Sequence, residues 1–237
     1  MADLILLVFQ AAPGLPSASP FSTKAMILLA MAGLDYERKV GNPTKAPKRK
    51  LPVLIDGGET IPDSYFIRRH LETRYGADFD QGLSEAERAI AAAFTALVED
   101  RLYFASMAER WLYPENRAPL VDMMRGSGVP GPIAGPVTSL VTRSVRKTLD
   151  GQGHGRHSRE EGLGIGREAI DALATQLGDK PFLMGPEPTG LDATAYPMVL
   201  GNLASAFTTE LRDATERHAN LMAYIERMGE RFPLPTG

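Results

Sequence analysis

Cysteine is absent from all 237 residues. Its absence excludes a disulfide framework, thiolate metal sites and thiol–disulfide exchange on the protein's own sulfur, and it is compatible with a reducing compartment. A surplus of charge is also missing. Lysine and arginine number 26 against 29 aspartates and glutamates, a formal net charge of −3, so nothing electrostatic points to a nucleic acid partner. Long apolar runs are lacking too. Leu4 to Phe9 falls far short of the roughly 20 residues that span a bilayer, and Met1-Ala2-Asp3 supplies no basic n-region ahead of it. The expectation is a cytoplasmic protein without signal peptide or transmembrane helix. What is present is ordinary for a globular chain, 43% hydrophobic and 23% charged, with length for one large or two modest domains.

Two patterns meet near residues 78 to 83. Before that point strand and helix signals alternate. Leu4 to Phe9 reads as a buried strand, Thr23 to Met31 as a helix ending at Gly33, and Tyr36 to Val40 as a second strand. Val53 to Ile55, the turn Asp56-Gly57-Gly58-Glu59 and Thr60-Ile61 form a hairpin signal. Ser64 is then placed to cap a helix from Tyr65 to Arg74. The order β-α-β-loop-β-β-α predicts a small α/β domain with a mixed sheet. Beyond it the pattern is nearly all helical. Ser84-Glu85-Ala86-Glu87 is a capping box that opens a helix to about Trp111. Gly126 to Gly135 reads as a break, Val137 to Leu149 as amphipathic helix, and Ser158 or Arg159 as the start of a helix to Leu177. Thr189 to Asp192 precedes an apolar helix from Ala193 to about Leu203, and a last helix covers Ala219 to Arg231.

Ser19-Pro20-Phe21-Ser22 stands where the first strand passes through a small polar loop into the first helix. A C-x-x-C at such a junction reads as a thioredoxin-like redox site. Here both cysteines are serines, so any sulfur chemistry needs a thiol supplied by a ligand. The plain reading is that Ser19 or Ser22 caps the helix. His154 and His157 flank glycine and arginine without a clustered carboxylate, which argues against a metal site. Gly162, Gly164 and Gly166 follow no strand, so they do not form a nucleotide fingerprint.

Taken in order, these motifs resemble a cytosolic glutathione S-transferase of the serine type over almost the whole chain. Ala18-Ser19-Pro20-Phe21 is similar to the active-site loop of the serine classes, nearest the plant tau class. Lys50-Leu51-Pro52-Val53-Leu54 is similar to the loop entering the third strand, whose proline is cis in the family. Asp63-Ser64 resembles the polar residue and serine that begin the next helix. Pro181 to Gly185, with Thr189 and Asp192, is similar to the capping region of the helical domain. A narrower resemblance, to the failed-axon-connections and metaxin-like branch, rests on Arg101-Leu102-Tyr103-Phe104, Arg110-Trp111 and Gly153 to Ser158.

The resemblance implies a thioredoxin-like α/β domain with a mixed four-stranded sheet over residues 1–77, and an all-helical domain over 84–237. It implies glutathione as co-substrate, a hydrophobic electrophilic small molecule as second substrate, no metal, and a homodimer. Ser19 is the expected catalytic residue. A free thiol with a pKa of about 8.5 is only slightly ionised at neutral pH. A hydroxyl donor and a helix N-terminus both favour the thiolate, and a fall of about two units corresponds to roughly 2.7 kcal/mol. The peptide groups of Leu51 beside Pro52 would pair with the ligand as an added strand. Asp63 and Ser64 fit the ammonium and carboxylate of the γ-glutamyl end, and an ordinary helix cap is compatible with the same residues. Lys50 is placed for the glycyl carboxylate, whereas Lys45, Lys48 and Arg49 read as a solvated face. The basic segment from Arg143 to Arg159 orders a loop or faces an anionic substrate. The alternative to an enzyme is a non-catalytic binding or scaffolding module of the metaxin-like type.

Overall fold

Alternation along Leu4–Val8 buries Leu4, Leu6 and Val8 on one face of this strand, β1. The computed structural model describes residues 4–204 and 206–236, so the reading of Met1 to Asp3 lies outside the described residues. β1 pairs in parallel with β2 (Glu37–Val40) and antiparallel with β3 (Val53–Asp56), and β3 pairs antiparallel with β4 (Glu59–Pro62). The order β2-β1-β3-β4 is the mixed four-stranded sheet expected. Gly57 and Gly58 turn the β3–β4 hairpin with φ of 55° and 92°, values that side chains disfavour at both central positions.

Helix α1 (Pro20–Met31) is buried almost all round from Ser22 to Leu29. It packs on α2 (Ser64–Tyr75) on one side and on α8 (Gly190–Asn202) of the helical half on the other. A helix apolar on every face needs such a position. One continuous core therefore runs from Leu6 and Leu54 of the sheet through Met26 and Leu28 to Val199 and Tyr224.

The helical half opens as expected. The Ser84–Glu87 capping box starts α3 (Glu85–Leu97). The helix expected to run to Trp111 is interrupted by a π turn, Val98–Leu102, before continuing as α4 (Tyr103–Leu112). Two further differences concern glycine and proline. α5 (Arg117–Gly126) was not visible in the pattern, and α6 (Gly131–Gln152) begins inside the run expected to be a break. Pro132 stands in its first turn, where a missing N–H removes no helical bond. α7 (Arg159–Leu177) starts at the Ser158–Glu161 capping box. A short α9 (Glu210–Glu216), also unexpected, precedes α10 (Ala219–Arg231), which has the bounds expected. At the start of α8 the fully buried Asp192 carboxylate accepts from Leu183 N (2.9 Å), Thr189 N (2.7 Å) and Thr189 Oγ1 (2.9 Å).

Candidate functional site

The sheet's directions gather three loops at one end. Leu7 of β1 lies opposite Val53 of β3, Val53 lies opposite Pro62 of β4, and Val8 lies beside Val40 of β2. The β1–α1 loop with Ser19, the β2–β3 loop with Lys50, Leu51 and Pro52, and the β4–α2 junction with Asp63 and Ser64 therefore leave the sheet at the same edge. The Leu51–Pro52 peptide is cis. Asp63 N donates to Pro52 O at 3.0 Å, tying the second loop to the third. Among the described residues, no hydrogen bond engages either peptide group of Leu51.

Among the described residues, two non-glycine residues have positive φ, Arg49 at 52° and Asp63 at 86°. Both are on these loops. Such backbone costs on the order of 1–3 kcal/mol and tends to cluster at ligand sites. Asp63, not Ser64, caps α2: its carboxylate accepts from Tyr65 N at 3.0 Å. Ser64 is the first helical residue, buried, and the expected cap moves back by one position. The reason is local, since the carboxylate one residue earlier already satisfies an orphan N–H.

Ser19 is the N-cap residue of α1 by backbone geometry, yet its side chain makes no capping hydrogen bond. Its carbonyl accepts from Ser22 N and Thr23 N, and its own N–H donates to Ser17 Oγ at 3.2 Å. Ser17 Oγ in turn donates to Phe9 O at 3.0 Å. The loop is thus held by the neighbouring serine while the Ser19 hydroxyl stays uncommitted. Ser19 lines a cavity of about 1050 Å³ between the sheet edge and the helices.

Ser19, Pro20 and Thr23 form part of one wall, and Tyr103, Met107, Arg110 and Trp111 of α4 form part of another. Met123, Val141, Val145 and Met198 add apolar surface from α5, α6 and α8. Lys50, Leu51, Pro52, Asp63 and Ser64 are not among the lining residues; they sit beyond its rim on the shared loop edge. Of the basic cluster it is Arg49 that lines the cavity, while Lys50 is exposed and Lys48 lies over the Phe66 ring at 3.7 Å.

Sequence reasoning gave Arg49, Tyr103, Arg110 and Trp111 no role in a site. Tyr103, Arg110 and Trp111 belong to the motifs that carried the narrower resemblance, and one signal was available: they share a helical face at spacings of seven and eight residues. Phe21 packs edge-on against Tyr103 with ring centroids 4.9 Å apart, joining α1 to α4. Burial raises the Tyr103 phenol above its usual range and lowers the Arg110 guanidinium below its own.

Within the basic segment that the sequence left open, Arg156 and Arg159 order a loop. Arg159 forks onto the buried Glu109 (Nε–Oε1 3.0 Å, Nη2–Oε2 2.9 Å), pairs with Glu115 at 2.7 Å and stacks over Tyr113. Hydrogen bonds to Glu109 hold its guanidinium far above the usual range. Arg156 Nε donates to Asp150 O at 3.0 Å. Neither arginine lines the large cavity.

Comparison with known proteins adds independent findings. The family model "Glutathione S-transferase N-terminal domain" matches residues 20–116, and "Glutathione S-transferase, C-terminal domain" matches 166–228. Failed axon connections of Drosophila melanogaster is 31% identical over 98% of this chain, which spans only 59% of that protein. The isoprene-epoxide–glutathione S-transferase of Rhodococcus sp. (strain AD45) is 29% identical over 93% of this chain and 95% of its own. Human metaxin-2 is 23% identical over 91% of this chain and 82% of its own. The crystal structure of the beta-etherase LigF from Sphingobium sp. strain SYK-6 superposes with a TM-score of 0.68 over 98% of this chain and 97% of its own. At 17% identity that likeness shows the fold.

Proposed function

The chain belongs to the glutathione S-transferase family, and from that premise we propose that it binds glutathione and transfers the thiolate to an electrophilic small molecule. The observation that carries the reading is Ser19, whose hydroxyl is free of capping duty at the N-terminus of α1 and which lines a cavity with apolar walls. In this reading Ser19 donates a hydrogen bond to the sulfur and the helix dipole adds positive potential. The thiolate attacks carbon: a C–S bond forms, and the leaving bond's electron pair departs with the displaced group. Serine supplies no base, because the nucleophile is already ionised.

Residues 1–77 hold the tripeptide and residues 84–237 shape the pocket for the second substrate. Asp63 takes the ammonium and Ser64, at the start of α2, the carboxylate of the γ-glutamyl end. The peptide groups of Leu51, next to Pro52, pair with the ligand backbone, and Lys50 takes the glycyl carboxylate. A cytoplasmic homodimer completes the proposal. The exposed Tyr65 and Phe66 rings, 5.3 Å apart on α2, are an apolar surface that a second copy would cover. Among the described residues, no helix is long and apolar enough to cross a membrane.

A second reading is favoured by one observation: Failed axon connections, not named for a transferase activity, matches this chain as well as the named transferase does. In that reading the protein is a non-catalytic glutathione-fold binding or scaffolding module. Titration calorimetry with millimolar glutathione, followed by conjugation to a generic aryl halide, separates the two. Heat of binding with turnover supports the transferase. Binding without turnover supports the module, and no binding removes glutathione from both.

A further inference from the structure

The cavity's charge is one-sided. Among its lining residues Arg49 and Arg110 are the charged ones, and no aspartate or glutamate is present. Arg49 lies on the loop edge assigned to glutathione, whereas Arg110 lies on α4 within the helical wall. A guanidinium has five N–H donors. Arg110 directs one, from Nη2, to Gly201 O at 3.1 Å, and its face lies over the Phe207 ring at 4.7 Å. Among the described residues no carboxylate pairs with it, although Arg68, Arg88, Arg125, Arg159 and Arg167 all have such partners. Arg110 is half-buried and, among the described residues, has no counter-ion; burial lowers its guanidinium below its usual range, yet it stays a cation.

We propose that Arg110 selects electrophiles bearing a carboxylate, with the helical wall of the cavity as an anion subsite beside an apolar binding surface. The proposal rests on the reading that this cavity takes the second substrate, and it narrows that substrate's chemical class. Carboxylate geometry matches the free side of the guanidinium fork, so two parallel hydrogen bonds are available to it. Ser106 and Tyr103 stand one and two turns before Arg110 and line the same cavity, the Ser106 hydroxyl donating to Asn202 Oδ1 at 2.7 Å. Trp111 and Met107 flank the cation with apolar surface suited to an aromatic or alkyl body. A structural clamp on Gly201 and Phe207 would use the same two contacts but would not discriminate ligands by charge.

The chain's single tryptophan, Trp111, lines this cavity, so its fluorescence reports occupancy directly. The full-length protein is titrated with 4-nitrobenzoate and with 4-nitrobenzamide, a neutral probe of nearly the same shape, in the absence of glutathione. Wild type should bind the carboxylate about tenfold or more tightly than the amide, a preference that weakens with salt. Arg110→Met should erase the preference and leave the amide's affinity unchanged. Arg110→Lys should retain part of it, and Arg49→Met should retain it in full. If Arg110→Met does not fold by circular dichroism, the wild-type pair and Arg110→Lys decide. Equal affinities in wild type, no binding of either probe, a preference surviving in Arg110→Met, or one lost only in Arg49→Met would each overturn the assignment. Because no thiol takes part, failure here is distinct from failure of the glutathione calorimetry.

Discussion

Lys24 Nζ of α1 lies 2.7 Å from Glu99 Oε1 in the π turn between α3 and α4, an ion pair that joins the sheet half to the helical half. The two partners are not equivalent: the Lys24 side chain is 3% exposed and that of Glu99 is 26% exposed. Burial lowers the Lys24 ammonium below its usual range, against the opposing pull of Glu99.

Removing the carboxylate should therefore cost more than removing the amine. Glu99→Ala strands a buried cation and should destabilise the protein by about 3 kcal/mol or more, while Lys24→Met leaves only a half-exposed carboxylate and should cost clearly less. The pH dependence has a fixed sign. With the folded pKa below 10.5, the unfolded chain binds more protons between the two values, so stability rises with pH in that window. The slope should be steeper in Glu99→Ala, where nothing holds the proton on Lys24. Urea unfolding from neutral pH to pH 10 measures both effects, and equal losses in the two variants would contradict the asymmetry.

Asp192 anchors α8 by satisfying Leu183 N, Thr189 N and the Thr189 hydroxyl at once. Asp192→Ala leaves these buried donors without an acceptor, and a loss of about 3 kcal/mol or more is expected in urea denaturation. A loss below about 1 kcal/mol would mean that water or a shifted backbone replaces the carboxylate.

Ser64 and Asp63 should separate binding from stability. Because Asp63 supplies the cap, Asp63→Ala should lower stability by about 1 kcal/mol. Ser64→Ala should leave stability near wild type and weaken glutathione by about 1–3 kcal/mol, read by calorimetry. Reversed effects would assign the cap to Ser64 and remove it from the ligand.

The parts legible in the sequence were those written in local chemistry. The box at Ser84 announced its helix, and Gly57-Gly58 announced the hairpin, because each is settled within four residues. The elements that escaped were those where local and tertiary terms disagree. Pro132 lies in the run read as a break, yet it stands in the first turn of α6, where proline is tolerated, and Pro136 lies inside a helix that packs on α4 and α5. The π turn at Val98–Leu102 carries no signature in a pattern that stays helical on both sides. The loop residues Ser19, Pro52 and Asp63 were visible as motifs, and the strand directions bring their loops to one edge. Arg110 shares a helical face with Tyr103 and Trp111, and Arg49 stands in a basic cluster that reads as a solvated face; that both line one cavity depends on long-range packing, which no local pattern encodes.

The most direct test of the transferase reading is the ionisation of bound glutathione, followed by thiolate ultraviolet difference absorbance across pH in wild type and Ser19→Ala. The account predicts that wild type holds the thiol well below the free value of about 8.5, so that thiolate is present at neutral pH. Ser19→Ala should return the pKa towards the free value and slow conjugation, with affinity near wild type because the ligand's charged ends set binding. Bound glutathione with no thiolate at neutral pH in wild type, or an unchanged pKa in Ser19→Ala, would contradict it.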